Sequence, residues 1–143
     1  MCQINSEPFK LAEKDIVCYK VLEKTCNPEV FNSPYMCTKY SLGKKFRIGV
    51  DDNLFHDDRD EIVGNWPYLG RISDGFYHFI MDKEGATRLA KVLSEHYENH
   101  VVGECTIPAG TLCSEGDFET MVIDQEFTFP SICAKEFTIN KIL

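Results

Sequence analysis

Long hydrophobic runs are missing from this sequence. No apolar stretch approaches the ~20 residues that a membrane-spanning helix needs. The segment from Met1 to Lys14 mixes charged and polar residues and lacks the apolar core of a secretory signal. We therefore expect a protein without a membrane span or a signal peptide, located in the cytoplasm.

Familiar catalytic and cofactor motifs are also missing. The sequence contains neither G-x-G-x-x-G nor G-x-x-x-x-G-K-S/T, the glycine-rich loops that hold nucleotide phosphates. It has no G-x-S-x-G elbow for a serine nucleophile, and no C-x-x-C pair for a zinc ribbon or a thioredoxin-type redox site. The motifs therefore give no firm catalytic signature and lead us to expect no cofactor.

Positive charge is in deficit. The chain has 15 Lys and Arg against 23 Asp and Glu, and its formal net charge is −8. Binding along a nucleic-acid backbone needs clustered basic residues, and so does binding to an anionic membrane. Both partner classes are disfavoured. The acidity either keeps the protein soluble or faces a basic partner.

Cysteine, by contrast, is plentiful. Seven cysteines are present, an odd number, and several lie in apolar stretches, as Cys18 does in the run Ile16-Val17-Cys18-Tyr19. Free, buried thiols in a reducing compartment are the favoured interpretation, and a disulfide framework is the alternative.

The composition and the apolar pattern predict a single α+β domain over residues 1–143. Hydrophobic residues make up 43% and aromatic residues 12%, enough for a core. We expect a mainly antiparallel sheet with one main helix at about 83–98. Residues 1–14 are expected to form a leader, and residues 51–73 an irregular acidic loop.

Two segments carry the clearest patterns. Asp15 to Leu22 is rich in β-branched and aromatic residues and predicts a strand, in which Val17, Tyr19 and Val21 share one face. Asp82 is the expected N-cap of the main helix. The spacing of the next apolar residues predicts a helix from Lys83 to Glu98 whose buried face holds Ala86, Leu89, Ala90, Leu93 and Tyr97. Thr111 to Cys113, Thr120 to Asp124 and Phe137 to Ile142 are further predicted strands.

Metal ligands are not indicated. His96 and His100 are four residues apart, but Tyr97 stands where the zinc-protease motif has Glu, so a solvated helix end is the better interpretation. The acidic run around Asp57 and Asp58 fails the calcium-loop pattern, because Phe55 occupies a ligand position. We therefore predict no metal site.

Three short patterns carry a resemblance. The early "VCYKVL", the central "GFYHF" and the later "VVGECTIPAG" resemble a pattern found in small uncharacterised proteins of gut bacteria and their phages. The resemblance spans roughly Asp15 to Asp124. It implies a bacterial protein, or a phage protein in the host cytoplasm, and the family brings no established activity.

A more distant resemblance is to the ADP-ribosyltransferase-like fold, including its RNA 2′-phosphotransferase branch. That fold lines an NAD pocket with an early His or Arg, a mid-chain Tyr, Ser or His, and a late Glu. Carried over by position, the resemblance implies Tyr19, His78 and either Glu119 or Glu126 as catalytic candidates, with NAD as the cofactor. Tyr19 departs from the usual His or Arg, and Tyr77-His78-Phe79 replaces a Ser-Thr-Ser run.

The leading functional hypothesis is a non-enzymatic binding or accessory protein, with a counter-defence role for a phage or mobile element. Its partner would be a protein or a small nucleotide. The expected contact surface combines Asp57 and Asp58 with Trp66 and Tyr68, because aromatic residues beside charged ones often anchor interfaces. An ADP-ribosyltransferase-like enzyme or an inactive NAD or nucleotide binder is the alternative, and an oligomeric scaffold is a third hypothesis.

Overall fold

The computed structural model describes residues 2–5, 7, 9–33, 39–47 and 76–143. Side chains of residues 2–5 are outside this description. The strands are β1 Cys2–Asn5, β2 Lys10–Leu11, β3 Ile16–Lys24, β4 Val30–Asn32, β5 Lys39–Ser41, β6 Lys45–Arg47, β7 Tyr77–Ile80, β8 His100–Ile107, β9 Leu112–Val122, β10 Gln125–Ala134 and β11 Glu136–Ile142, and the helix is α1 Lys83–His96.

The described strands form one sheet in the order β1-β9-β10-β7-β3-β8-β11-β6, with β2, β4 and β5 attached beside it. Every strand pair in it is antiparallel. This confirms a mainly antiparallel sheet with one helix among the described residues. The strands outweigh the helix so strongly that the fold is mainly β rather than a balanced α+β.

The strands of the sheet bury side chains on both of its faces. On the helix face, Val21 and Ile80 pack against α1. On the inner face, Cys18, Leu22 and Phe137 join a second apolar cluster. Because side chains alternate along a strand, a single strand such as β3 supplies residues to both clusters.

The helix begins where the sequence predicts. Both carboxylate oxygens of Asp82 accept hydrogen bonds from the first turn, from the backbone N–H groups of Glu84 and Gly85. The helix ends at His96, earlier than predicted. Tyr97 is the C-cap and is exposed, so its predicted place on the buried face is wrong.

The second half of the chain is more regular than predicted. β9 and β10 form a long hairpin that turns at Ile123 and Asp124. The predicted strand from Thr120 to Asp124 therefore runs into the turn. Part of the expected leader also joins the sheet, because β1 and β2 both pair with β9.

Candidate functional site

Lys20 places a cation on the inner face of the sheet. It lies in β3 between two fully buried residues of the same face, Cys18 and Leu22. The residue as a whole is half-buried, and its ammonium end is the enclosed part. A lysine in this position places a charge inside an apolar cluster.

Three aromatic rings surround that ammonium group. Lys20 Nζ lies 5.0 Å from the centroid of Phe79, 5.4 Å from that of Tyr40 and 5.9 Å from that of Phe137. The negative faces of such rings attract a cation within about 6 Å. Tyr40 reaches this cluster from β5, which pairs with β4 beside β3.

One hydrogen bond fixes the end of the side chain. Lys20 Nζ donates to the backbone carbonyl of His78 at 2.8 Å. The two strands concerned, β3 and β7, are in register at a single pair, Tyr19 opposite Ile80. The lysine side chain therefore links β3 to β7 where their main-chain ladder does not continue.

The electrostatic surroundings of Lys20 are unusual. Burial lowers the pKa of its ammonium group to about 8. Ion pairs in the described chain join Lys10 to Glu115, Lys45 to Glu136 and Lys141 to Glu104. Lys20 has no such carboxylate partner among the described residues.

Two thiols lie on the same face but do not supply that opposite charge. Cys18 stands directly across from Cys105 on the neighbouring strand, and both are fully buried. Burial raises the pKa of the Cys105 thiol to about 12 and raises that of Cys18 further. Both thiols are therefore neutral at physiological pH.

Two of the predicted catalytic residues share the helix face. Tyr19 is partly buried against the cluster beneath α1. His78 lies two residues along β7 from Ile80, the residue opposite Tyr19. The structure thus places Tyr19 and His78 on one face, opposite to the face that holds Lys20.

The two predicted carboxylates lie elsewhere. Glu119 in β9 and Glu126 in β10 are exposed, and strand alternation points both away from the helix face. His78 is in register with Cys133, which pairs with Ser114. Glu119 is therefore roughly 16 Å farther along β9 at about 3.3 Å per residue, and the four candidates do not form one pocket.

A histidine and a cysteine do stand side by side. Cys133 is opposite His78 on the adjacent strand, the arrangement that a thiol nucleophile and its base would need. The thiol is fully buried, however, and burial raises its pKa well above the ordinary value. Cys133 is consequently a core residue rather than a nucleophile.

Asp57, Asp58, Trp66 and Tyr68 lie outside the described residues, as does the acidic loop at 51–73.

Sequence reasoning missed Lys20 although a signal was present. The prediction for β3 concerned the face of Val17, Tyr19 and Val21. The other face combines Cys18, Lys20 and Leu22, and a charge between two apolar residues on one face of a strand departs from ordinary patterning.

The described residues contain no group of His, Cys, Asp and Glu side chains that could hold a metal ion. Among the described residues, no helix has the length and the apolar character that a membrane crossing requires. Comparison with protein-family models, curated proteins and solved structures found no match to this chain.

Proposed function

We propose that this protein is a non-enzymatic binding protein that holds a small anionic ligand at Lys20. The observation that carries the proposal is the enclosed ammonium group without a carboxylate partner among the described residues. An isolated charge in apolar surroundings is costly, and an opposite charge offsets that cost. A phosphate or carboxylate group would serve.

The surrounding rings indicate what the rest of the ligand is like. Phe137 is at the centre of the aromatic cluster, with its centroid 4.8 Å from Tyr77, 4.9 Å from Phe79 and 5.5 Å from Tyr40. Aromatic rings pack well against other planar rings. A ligand that combines an anionic group with a planar ring fits these surroundings, and nucleotides are one class of metabolite that does so.

This proposal keeps the nucleotide branch of the sequence-based hypothesis. An accessory or counter-defence role stays a prediction, and so does a protein partner at Asp57, Asp58, Trp66 and Tyr68. The ADP-ribosyltransferase-like alternative loses its geometric premise because Glu119 and Glu126 lie apart from His78. NAD enters the proposal as one candidate ligand rather than as a cofactor.

Thermal unfolding with a ligand panel tests the proposal. The panel contains AMP, ADP-ribose, NAD and inorganic phosphate at millimolar concentration, with uncharged adenosine as the matched control. A ligand present at 100 times its Kd stabilises the folded state by about 3 kcal/mol. For a chain of this size that corresponds to an increase in Tm of roughly 5–10 °C.

The variant Lys20→Met separates this site from any other. It keeps a long unbranched side chain and removes the charge. We expect at least one anionic ligand to raise the Tm of the wild type, and the increase to be lost in Lys20→Met and absent with adenosine. The proposal is overturned if no anion raises the Tm, or if the variant responds as strongly as the wild type.

A further inference from the structure

Anion binding uses the charged form of Lys20, but the same site also favours the uncharged amine. We propose that Lys20 is a nucleophile whose amine condenses reversibly with the carbonyl group of a small aldehyde or keto ligand to form an imine. This inference rests on the proposed function, since the ligand's anionic group would be held at the same site.

The geometry favours an available nitrogen lone pair. Within the described part of the chain, Lys20 Nζ has one hydrogen-bond acceptor, the carbonyl of His78, at 2.8 Å. Among the described residues, the faces of Phe79, Tyr40 and Phe137 also lie near it, as do the thiols of Cys18 and Cys105. A neutral amine can keep donating one N–H to that carbonyl, and ring faces offer no hydrogen-bond donor that would occupy the lone pair.

The apolar surroundings also favour the reactive protonation state. Because burial lowers its pKa to about 8, about a tenth of the Lys20 amine is neutral at pH 7. An exposed lysine with its ordinary pKa has well under a thousandth in that form. Desolvation in a hydrophobic site is one of the established ways in which proteins activate a lysine.

The reaction balances without an oxidant or a reductant. The lone pair of Lys20 Nζ attacks the carbonyl carbon, a C–N bond forms, and the C=O π bond breaks to give a carbinolamine. The two hydrogens of the neutral amine end on the carbonyl oxygen, which leaves as water as the C=N bond forms. Protonation of the imine restores a positive charge, so an anionic group on the ligand keeps its counter-ion.

The neighbouring thiols do not compete for the carbonyl. Cys18 and Cys105 are nucleophilic side chains near Lys20 in the described part of the chain, and burial raises the pKa of both. Since the thiolate is the reactive form of cysteine, these two residues stay unreactive at neutral pH. Of these three groups, the Lys20 amine is therefore the nucleophile available to a carbonyl compound.

Reductive trapping tests the inference. The folded protein is treated at pH 7 with sodium cyanoborohydride and either propanal, which is uncharged, or glyoxylate, which is anionic. Peptide mapping by mass spectrometry then gives the extent of alkylation at each lysine. Lys45 and Lys141, each with a side chain 63% exposed, are the internal controls.

We expect Lys20 to be alkylated about tenfold or more faster than either control, because the neutral fractions differ by more than a hundredfold and burial slows access. In urea-unfolded protein the preference should vanish. Equal or lower labelling of Lys20 in the folded protein overturns the inference.

The two aldehydes separate this inference from the proposed function. Selective labelling by propanal, with no anion raising the Tm, would support the nucleophile and reject anion binding. A Tm increase with anions, without selective labelling by either aldehyde, would reject the nucleophile and leave the binding proposal intact.

Discussion

At the scale of single residues, Lys20 is the feature that stability alone does not explain. A methionine or leucine would fill the space between Cys18 and Leu22 without placing a charge on the inner face. Removing an unpaired buried charge often stabilises a protein. Binding and reactive sites commonly retain destabilising groups of this kind, because function requires them.

The pH dependence of stability should expose the charge on Lys20. Its pKa is about 8 in the folded protein and 10.5 in the unfolded chain. Below pH 8 both states hold the proton, and the folded state bears the cost of the buried charge. Between pH 8 and 10.5 the unfolded chain binds more protons than the folded protein, so the free energy of unfolding contributed by this group rises with pH.

We expect Lys20→Met to be more stable than the wild type at pH 7 by about 2 kcal/mol. The pKa shift corresponds to about 3 kcal/mol, and loss of the hydrogen bond to His78 subtracts about 1 kcal/mol. The advantage should shrink as the pH rises from 8 to 10.5. Urea unfolding of both proteins at pH 7 and pH 10 measures this.

The buried thiols also affect the free energy of unfolding, because their raised pKa values lower stability as the pH rises through the same range. Both the wild type and Lys20→Met contain these thiols, so the difference between the two proteins removes their contribution. Lys45→Met is the matched control, because Lys45 is exposed, and it should change stability by less than about 1 kcal/mol. A Lys20→Met protein that is less stable at pH 7 would contradict the prediction.

At the scale of secondary-structure elements, α1 contains a glycine, a weak helix former, at a position where the helix packs closely against β10. Gly85 is in the first turn, where glycine lowers helix propensity. A Cβ atom built on Gly85 would lie 2.6 Å from Cδ1 of Phe129 and 2.9 Å from its Cε1. The helix therefore approaches β10 more closely than any residue with a side chain permits.

Gly85→Ala should consequently destabilise the protein by about 1–3 kcal/mol, because overpacking displaces the Phe129 ring. Helix propensity alone predicts the opposite sign, a gain of up to about 1 kcal/mol. Thermal or urea unfolding decides between them. Thr87→Ala, at an exposed position of the same helix, is the control and should change stability little; an unchanged or more stable Gly85→Ala protein would contradict the close packing.

At the scale of the whole molecule, the sheet separates the cluster beneath α1 from the inner-face cluster, and buried thiols occur in the inner-face cluster and in a third, smaller cluster around Phe76. Cys18, Cys105, Cys113 and Cys133 are fully buried, whereas Cys26 is exposed, and all five are free. Burial as free thiols is thus confirmed for four of the described cysteines. Cys26 is exposed because it lies after the end of β3, in the connection to β4.

Alkylation kinetics should separate these two classes. In a Cys2→Ser, Cys37→Ser background, iodoacetamide at pH 8 should modify Cys26 in the folded protein. The four buried thiols should react at least about a thousandfold more slowly, since their exposure requires unfolding. Peptide mapping over time gives the rates, and all sites should react alike in urea. Alkylation of Cys133 or Cys105 at a rate close to that of Cys26 would show that the sheet opens locally.

The sequence by itself determined the features that depend on neighbouring residues. Hydrophobic periodicity and the Asp82 cap located the helix, and β-branched residues located β3, because these signals act within one or two turns or strands. The end of the helix was predicted at Glu98 rather than His96, and Tyr97 was placed on the buried face, whereas the tertiary structure leaves its ring exposed.

The tertiary structure decided what depends on contacts between distant segments. Glu119 and Glu126 follow the expected order along the chain, but strand register places them far from His78 and on the other face of the sheet. Lys20 meets Phe79 and Phe137, which are 59 and 117 positions later in the sequence. Local patterns contain no information about that meeting, because the order of strands in the sheet, rather than the spacing of residues, brings the rings to the amine.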